Sequence, residues 1–185
     1  MAHPCTGGGP RSADAGRRAA GVRVLALDVD GTLTDGTLFI GPAGETMKGF
    51  SVRDGFGLAL LREAGVRLAI VTGRQSDIVE TRAAELRFDV VLQRVGDKAA
   101  ALRELATRFE CGPGAIGYMG DDWPDLPALR VAGLAAAPAD AAAEVIALAH
   151  WVSVRPAGHG AVRELAEWML AERGELAALL ARHRD

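Results

Sequence analysis

Four short clusters in this 185-residue chain combine residue types that could do chemistry: Asp28-Val29-Asp30-Gly31-Thr32, Thr72-Gly73-Arg74, Lys98, and Gly120-Asp121-Asp122 with Asp125. Each is ordinary alone, since Asp-Gly makes turns, Asp caps helices and a lysine at a helix start is commonly solvated. Their order, all at strand ends or helix starts, carries more information. Asp28 and Asp30 are two residues apart, so they begin on one face of an extended strand before Gly31 turns the chain into a loop. With Asp121 and Asp122 converging from another strand, the carboxylates repel one another unless a cation sits among them. Mg²⁺ suits such a site, because it takes carboxylate oxygens together with substrate phosphate.

The elements that must place these residues follow from hydrophobic patterning. Short apolar runs (VRVLALDVD, VRLAIVT, DVVLQ, AIGYMGD, GLAAA, HWVSV) alternate with helical patterns (DGFGLALLREAG, SDIVETRAAEL, DKAAALRELATRF, PDLPALRVAG, DAAAEVIALA). This βα alternation predicts an α/β fold, a Rossmann-like parallel sheet with helices on both faces. In such sheets ligands bind at the carboxyl ends of the strands, where Asp28, Thr72 and Asp121 fall. Residues 37–50 break the pattern and read as a β-hairpin around Gly-Pro-Ala-Gly, inserted after the first long strand. Gly65 is expected to end the first long helix in a left-handed conformation. Residues 1–21 are expected to be a flexible leader and 174–185 a helical tail, leaving 22–173 as the catalytic domain.

Composition excludes several functions. Apolar residues make up 49% and charged residues 24%, enough for a real core, and the formal net charge is -3. That acidic balance and nine aromatic residues argue against a nucleic-acid binder, which needs a basic face and stacking platforms. No apolar run approaches a membrane span, so no membrane partner is expected. Two cysteines, Cys5 and Cys111, make neither a disulfide framework nor a zinc site, and the Gly- and Pro-rich start lacks an apolar export segment. A cytoplasmic location is expected. His3, His150 and His183 have no neighbours at metal-ligand spacing.

Taken together, the four clusters resemble the four motifs of the haloacid dehalogenase-like superfamily, in order, from about Val22 to Trp168. The resemblance implies that Asp28 is the nucleophile that attacks phosphorus and that Asp30 is general acid and then base. It implies Mg²⁺ held by Asp28, the Asp30 backbone carbonyl and Asp121, with phosphate held by Thr72, Gly73 and Lys98. Asp122 and Asp125 are then expected to orient Lys98 or metal-bound waters. A narrower set, LALDVDGTLTDGTLFIGPAGETMKGFSVRDGFGL, AIVTGRQSDIVETR, GDK, YMGDDWPDLP and GHGAVRE, is similar to the 3-deoxy-D-manno-octulosonate 8-phosphate (KDO 8-phosphate) phosphatase family. That family is a cap-less branch with a hairpin in place of a cap domain, and is typically a homotetramer. The short spacers around Thr72 agree, leaving no room for a cap.

Arg53 and Arg74 are candidates for gripping a sugar-acid carboxylate, because a guanidinium binds carboxylates bidentately. Arg53 could equally pair with Asp54 or Glu45. Gly158-His159-Gly160 before a helix could approach an anion, although Ala157 and His159 depart from the family's usual Gly and Arg. The expected activity is Mg²⁺-dependent hydrolysis of KDO 8-phosphate. Its rivals are a nine-carbon ulosonate 9-phosphate phosphatase and a non-catalytic sugar-acid-binding or assembly domain.

Overall fold

The computed structural model describes residues 9–183. In chain order the elements are β1 (Gly9–Pro10), α1 (Ala15–Gly21), β2 (Val24–Leu27), β3 (Phe39–Gly41), β4 (Gly44–Met47), α2 (Val52–Glu63), β5 (Arg67–Val71), α3 (Asp77–Leu86) and β6 (Val90–Leu92). There follow α4 (Lys98–Arg108), β7 (Ile116–Met119), α5 (Leu126–Val131), β8 (Leu134–Ala137), α6 (Ala143–Leu148), β9 (Trp151–Val152), α7 (Ala161–Glu172) and α8 (Leu176–Ala181). The main sheet has the order β1-β9-β8-β7-β2-β5-β6, parallel except for β1, and the hairpin β3-β4 forms a separate two-stranded sheet.

The period of two along the strands builds two core layers. From β2, Leu25 and Leu27 point into one layer with Leu58, Leu61, Leu165 and Met169 of α2 and α7. Val24 and Ala26 point into the other, with Leu102, Leu105 and Leu129 of α4 and α5. Because both faces are covered, β2 is buried at every position and reads as an unbroken apolar run. The reversal of strand order beside β2 puts its carboxyl end, and that of β7, at the crevice where such sheets bind ligands.

The flexible leader is corrected for residues 9–21. Gly9–Pro10 pairs antiparallel with β9, and Ala15 and Ala19 of α1 are fully buried. Arg18 anchors the helix by donating to the Gly133 carbonyl at 2.8 Å. Composition hid this because Ala15 and Ala19, one helical turn apart, let α1 seat closely without large apolar side chains. Residues 1–8, including His3 and Cys5, lie outside the described residues. Gly65 does take the left-handed conformation expected, with φ of 81°. Among the described residues, no helix is long and apolar enough to cross a membrane.

Candidate active site

β2 stops at Leu27 and delivers Asp28 to the sheet's carboxyl edge, where its N–H donates to the Met119 carbonyl of β7 at 3.0 Å. The following loop is tight, with the N–H groups of Thr32, Leu33 and Thr34 all directed at the Val29 carbonyl at 2.9–3.2 Å. Gly31 is required there. Its φ is +91°, and a Cβ at that position would lie 2.1 Å from Oδ2 of Asp121.

Lys98 is the first residue of α4, whose N-terminus is capped by Asp97 accepting from Ala100 N–H at 2.9 Å. That start aims its ammonium between Asp28 Oδ1 at 2.9 Å and Asp125 Oδ1 at 2.6 Å, with all three side chains buried. Asp125 is saturated. The Tyr118 hydroxyl also donates to its Oδ1 at 2.6 Å, and the N–H groups of Asp121 and Asp122 donate to its Oδ2 at 2.9 and 3.2 Å. Asp125 therefore fixes both Lys98 and the loop that carries Asp121. Thr32 donates to Oδ1 of Asp121 at 3.0 Å and so orients that carboxylate.

Three carboxylates, of Asp28, Asp121 and Asp125, offer one oxygen each within 4.8 Å of one another. Burial pushes Asp121 up to about 7, reinforced by the charges of Asp125 and Asp28. Burial likewise pushes Asp28 up to about 6, against the pull of Lys98. Burial also works against the Lys98 ammonium, but Asp28 and Asp125 outweigh it and raise its pKa. Three carboxylates around a single ammonium leave excess negative charge that fits a hard divalent cation such as Mg²⁺. Since Asp125 has both oxygens engaged, Asp28 and Asp121 are the side chains left to hold it.

Asp30 sits on the open side of Asp28. It ion-pairs with Lys48, the residue just after β4 of the hairpin, and its Oδ2 lies 3.5 Å from Arg74 Nε. Thr72, at the end of β5, is buried, and no protein group engages its hydroxyl among the described residues, whereas Gly73 beside it is exposed. Asp28, Lys98, Asp125 and Asp121 are thus linked through shared contacts, while Asp30, two residues after Asp28, is engaged by Lys48 and Arg74.

Other expected site residues fall elsewhere. Asp122 is exposed and caps the single turn Trp123–Asp125 rather than orienting Lys98, which is the work of Asp125. Arg53 pairs with neither Asp54 nor Glu45; it lines a groove with Val154, Arg155, Gly160, Arg163 and Glu164, apart from Arg74's partners Asp30 and Glu45. The N-terminus of α7 holds no free anion site, because the buried Asp54 carboxylate accepts from Gly160 N–H at 3.1 Å and Arg163 N–H at 2.7 Å. The chain supplies its own anion to that helix. His150 accepts from Ala135 N–H at 2.9 Å and is structural.

Sequence reading missed Lys48 and Tyr118, and gave Thr32 no role and Glu45 none beyond a pairing with Arg53. Tyr118 had a usable signal: it is the chain's sole tyrosine and puts a hydroxyl inside an apolar strand.

No protein-family model matches the chain. It is 39% identical over 168 residues to the 3-deoxy-D-manno-octulosonate 8-phosphate phosphatase of Yersinia pestis, covering 91% of this chain and 90% of the relative. The fold matches that enzyme from Moraxella catarrhalis, solved with magnesium, phosphate and KDO, at TM-score 0.89 and 36% identity, covering 92% and 98% of the two chains. It also matches the cobalt-bound enzyme of Haemophilus influenzae at TM-score 0.85 and 33% identity, covering 87% and 94%. With these relatives spanning nearly the whole chain, and the four motifs gathered at one sheet edge without a cap domain, the protein belongs to the KDO 8-phosphate phosphatase family of the haloacid dehalogenase-like superfamily.

Proposed function

We propose that this protein is a Mg²⁺-dependent phosphatase that hydrolyses KDO 8-phosphate to KDO and phosphate through an aspartyl phosphate. The observation that carries it is Lys98, held by its ammonium between Asp28 and the saturated Asp125, beside the open carboxylate of Asp121. An Asp28 oxygen attacks phosphorus while the bond to the sugar oxygen breaks, and Asp30 gives that oxygen its proton. Asp30, then a carboxylate, takes a proton from water as the water oxygen attacks phosphorus. The bond to Asp28 breaks, releasing phosphate and restoring the free carboxylate. Thr72 and the Gly73 N–H hold phosphate oxygens, and Lys98 meets the charge that builds on them. Mg²⁺ bound by Asp28, the Asp30 carbonyl and Asp121 would neutralise charge between the two anions that must meet.

Arg74 takes the substrate carboxylate, a reading supported by its being nearly half exposed beside Asp30. Arg53 contributes to the same recognition from the groove it lines, at a junction between copies. The catalytic domain includes β1 and α1, which pack into its sheet and core, and α8 (Leu176–Ala181) forms the helical tail. The protein works in the cytoplasm as a homotetramer. A phosphate-release screen of sugar phosphates, with and without Mg²⁺, tests this. KDO 8-phosphate should be cleaved with a far higher kcat/KM than glucose 6-phosphate, and only with Mg²⁺. Equal rates on both would remove the sugar-acid assignment, and activity indifferent to EDTA would remove the metal.

A further inference from the structure

The chain has 21 basic residues, but only Lys48 and Lys98 are lysines; every other one is arginine. On a solvated surface either residue serves, so a chain this rich in arginine places little demand on lysine there. The two lysines are also buried, with side-chain exposures of 1% for Lys48 and 6% for Lys98. Each touches one aspartate of the Asp28-Val29-Asp30 motif: Lys98 touches Asp28, and Lys48 touches Asp30. An ammonium is a compact charge that fits a closed pocket between carboxylates, where the planar fork of arginine needs more room.

From these contacts we propose that Lys48 is a positioning residue for Asp30, through which the hairpin holds the general acid in place. Among the described residues Asp30 has no partner besides Lys48 and Arg74, and Arg74 is exposed and 3.5 Å away. Gly31 follows it in a loop, so little else restricts the Asp30 side chain. Lys48 engages Oδ1, leaving Oδ2 toward the open side where Arg74 lies. Lys48 is itself braced by Glu45 at 2.8 Å, three residues back in the hairpin. Glu45 accepts from the Ser76 hydroxyl and faces Arg74 at 3.6 Å. Both partners lie in the segment after β5 that begins with Thr72 and Gly73. The hairpin thus spans from the phosphate-holding loop to the proton donor.

Lys48 has this role only if the phosphatase chemistry proposed above holds, and the test separates the two. For an alkyl phosphate such as KDO 8-phosphate, the leaving oxygen needs the proton from Asp30. For p-nitrophenyl phosphate it does not, because the phenolate leaves unprotonated. Since kcat/KM covers steps up to ester cleavage, Lys48→Met should lower it about 10- to 100-fold for the alkyl ester and by less than about 3-fold for the aryl ester. Equal losses on both esters would overturn the positioning role and leave Lys48 as a structural residue. A wild-type protein inert toward both esters would instead overturn the phosphatase assignment.

A second measurement does not depend on turnover or on the folding of the Met variant. With only two lysines, ¹⁵N-lysine labelling yields two ammonium signals, which Lys48→Arg assigns by deletion. Asp30→Asn should shift the Lys48 signal and leave that of Lys98 in place. An unmoved Lys48 signal would overturn the contact on which the inference stands.

Discussion

Asp28 and Asp121 keep their protons to about pH 6 and about pH 7 because the site buries them side by side. The unfolded chain releases the same protons near the ordinary value of 3.8. Between roughly pH 4 and pH 7 the metal-free native state therefore binds more protons than the unfolded state, and stability from this site falls as pH rises. Without Mg²⁺, Tm should drop between about pH 4 and about pH 7. Added Mg²⁺ should raise it most at the upper end, where both carboxylates are free to bind. Calorimetric Mg²⁺ titrations in buffers of different ionisation enthalpy should show proton release near about pH 6 and almost none near about pH 8.5. Release that does not depend on pH would mean that the cation binds elsewhere. The nucleophile is tested more directly. Asp28→Asn should lower kcat by about 10³-fold or more, with circular dichroism unchanged, since its partners Lys98 and Asp125 remain held to each other. Near-normal turnover would exclude an aspartyl phosphate.

At the scale of elements, Asp54 joins the start of α2 to the start of α7. It is buried in the first turn of α2, where Ser51 caps the helix, and its two oxygens satisfy N–H groups of Gly160 and Arg163. Asp54→Ala would strand two donors and remove a negative charge from a helix N-terminus, at a cost of about 2–3 kcal/mol. Asp54→Asn, which keeps an acceptor, should cost less. Urea denaturation of both variants would show this order, and an unchanged Ala variant would mean that water replaces the carboxylate. The contact joins residues more than a hundred positions apart, so no local pattern announces it. The parallel strands were legible as apolar runs, with Asp28 and Asp121 just past two of their ends, and Lys98 stands at the start of α4. Asp122 and Asp125 were not separable from sequence, because a single tight turn decides which of the two faces inward. Lys48 stayed hidden for a related reason. In a charged hairpin it reads as a solvated edge residue, and only the fold of residues 37–50 back over the loop brings it to Asp30.

For the whole molecule, the hairpin presents Leu38, Phe39, Ile40 and Met47 to solvent, with Ile40 62% and Met47 55% exposed. Phe50, at the end of the same segment, is instead half-buried against the core with the Arg82 guanidinium 5.8 Å from its ring centre. One face of the hairpin is therefore docked, through Glu45, Lys48 and Phe50, while its apolar face is bare. Two strands alone are marginally stable in water, and β3-β4 pairs with no other strand among the described residues. A contiguous apolar face with open strand edges is stabilised when copies of the same element cover it in a closed symmetric assembly. Light scattering should therefore give about four times the chain mass of 19.3 kDa at micromolar concentration. Phe39→Glu with Ile40→Glu should yield smaller species, because both side chains are solvent-exposed in the single chain and the change costs nothing to its core. If Lys48 positions Asp30 from this hairpin, the dissociated variant should lose turnover on KDO 8-phosphate more than on p-nitrophenyl phosphate. A wild type that scatters as a fully active monomer would show that the apolar face has another purpose.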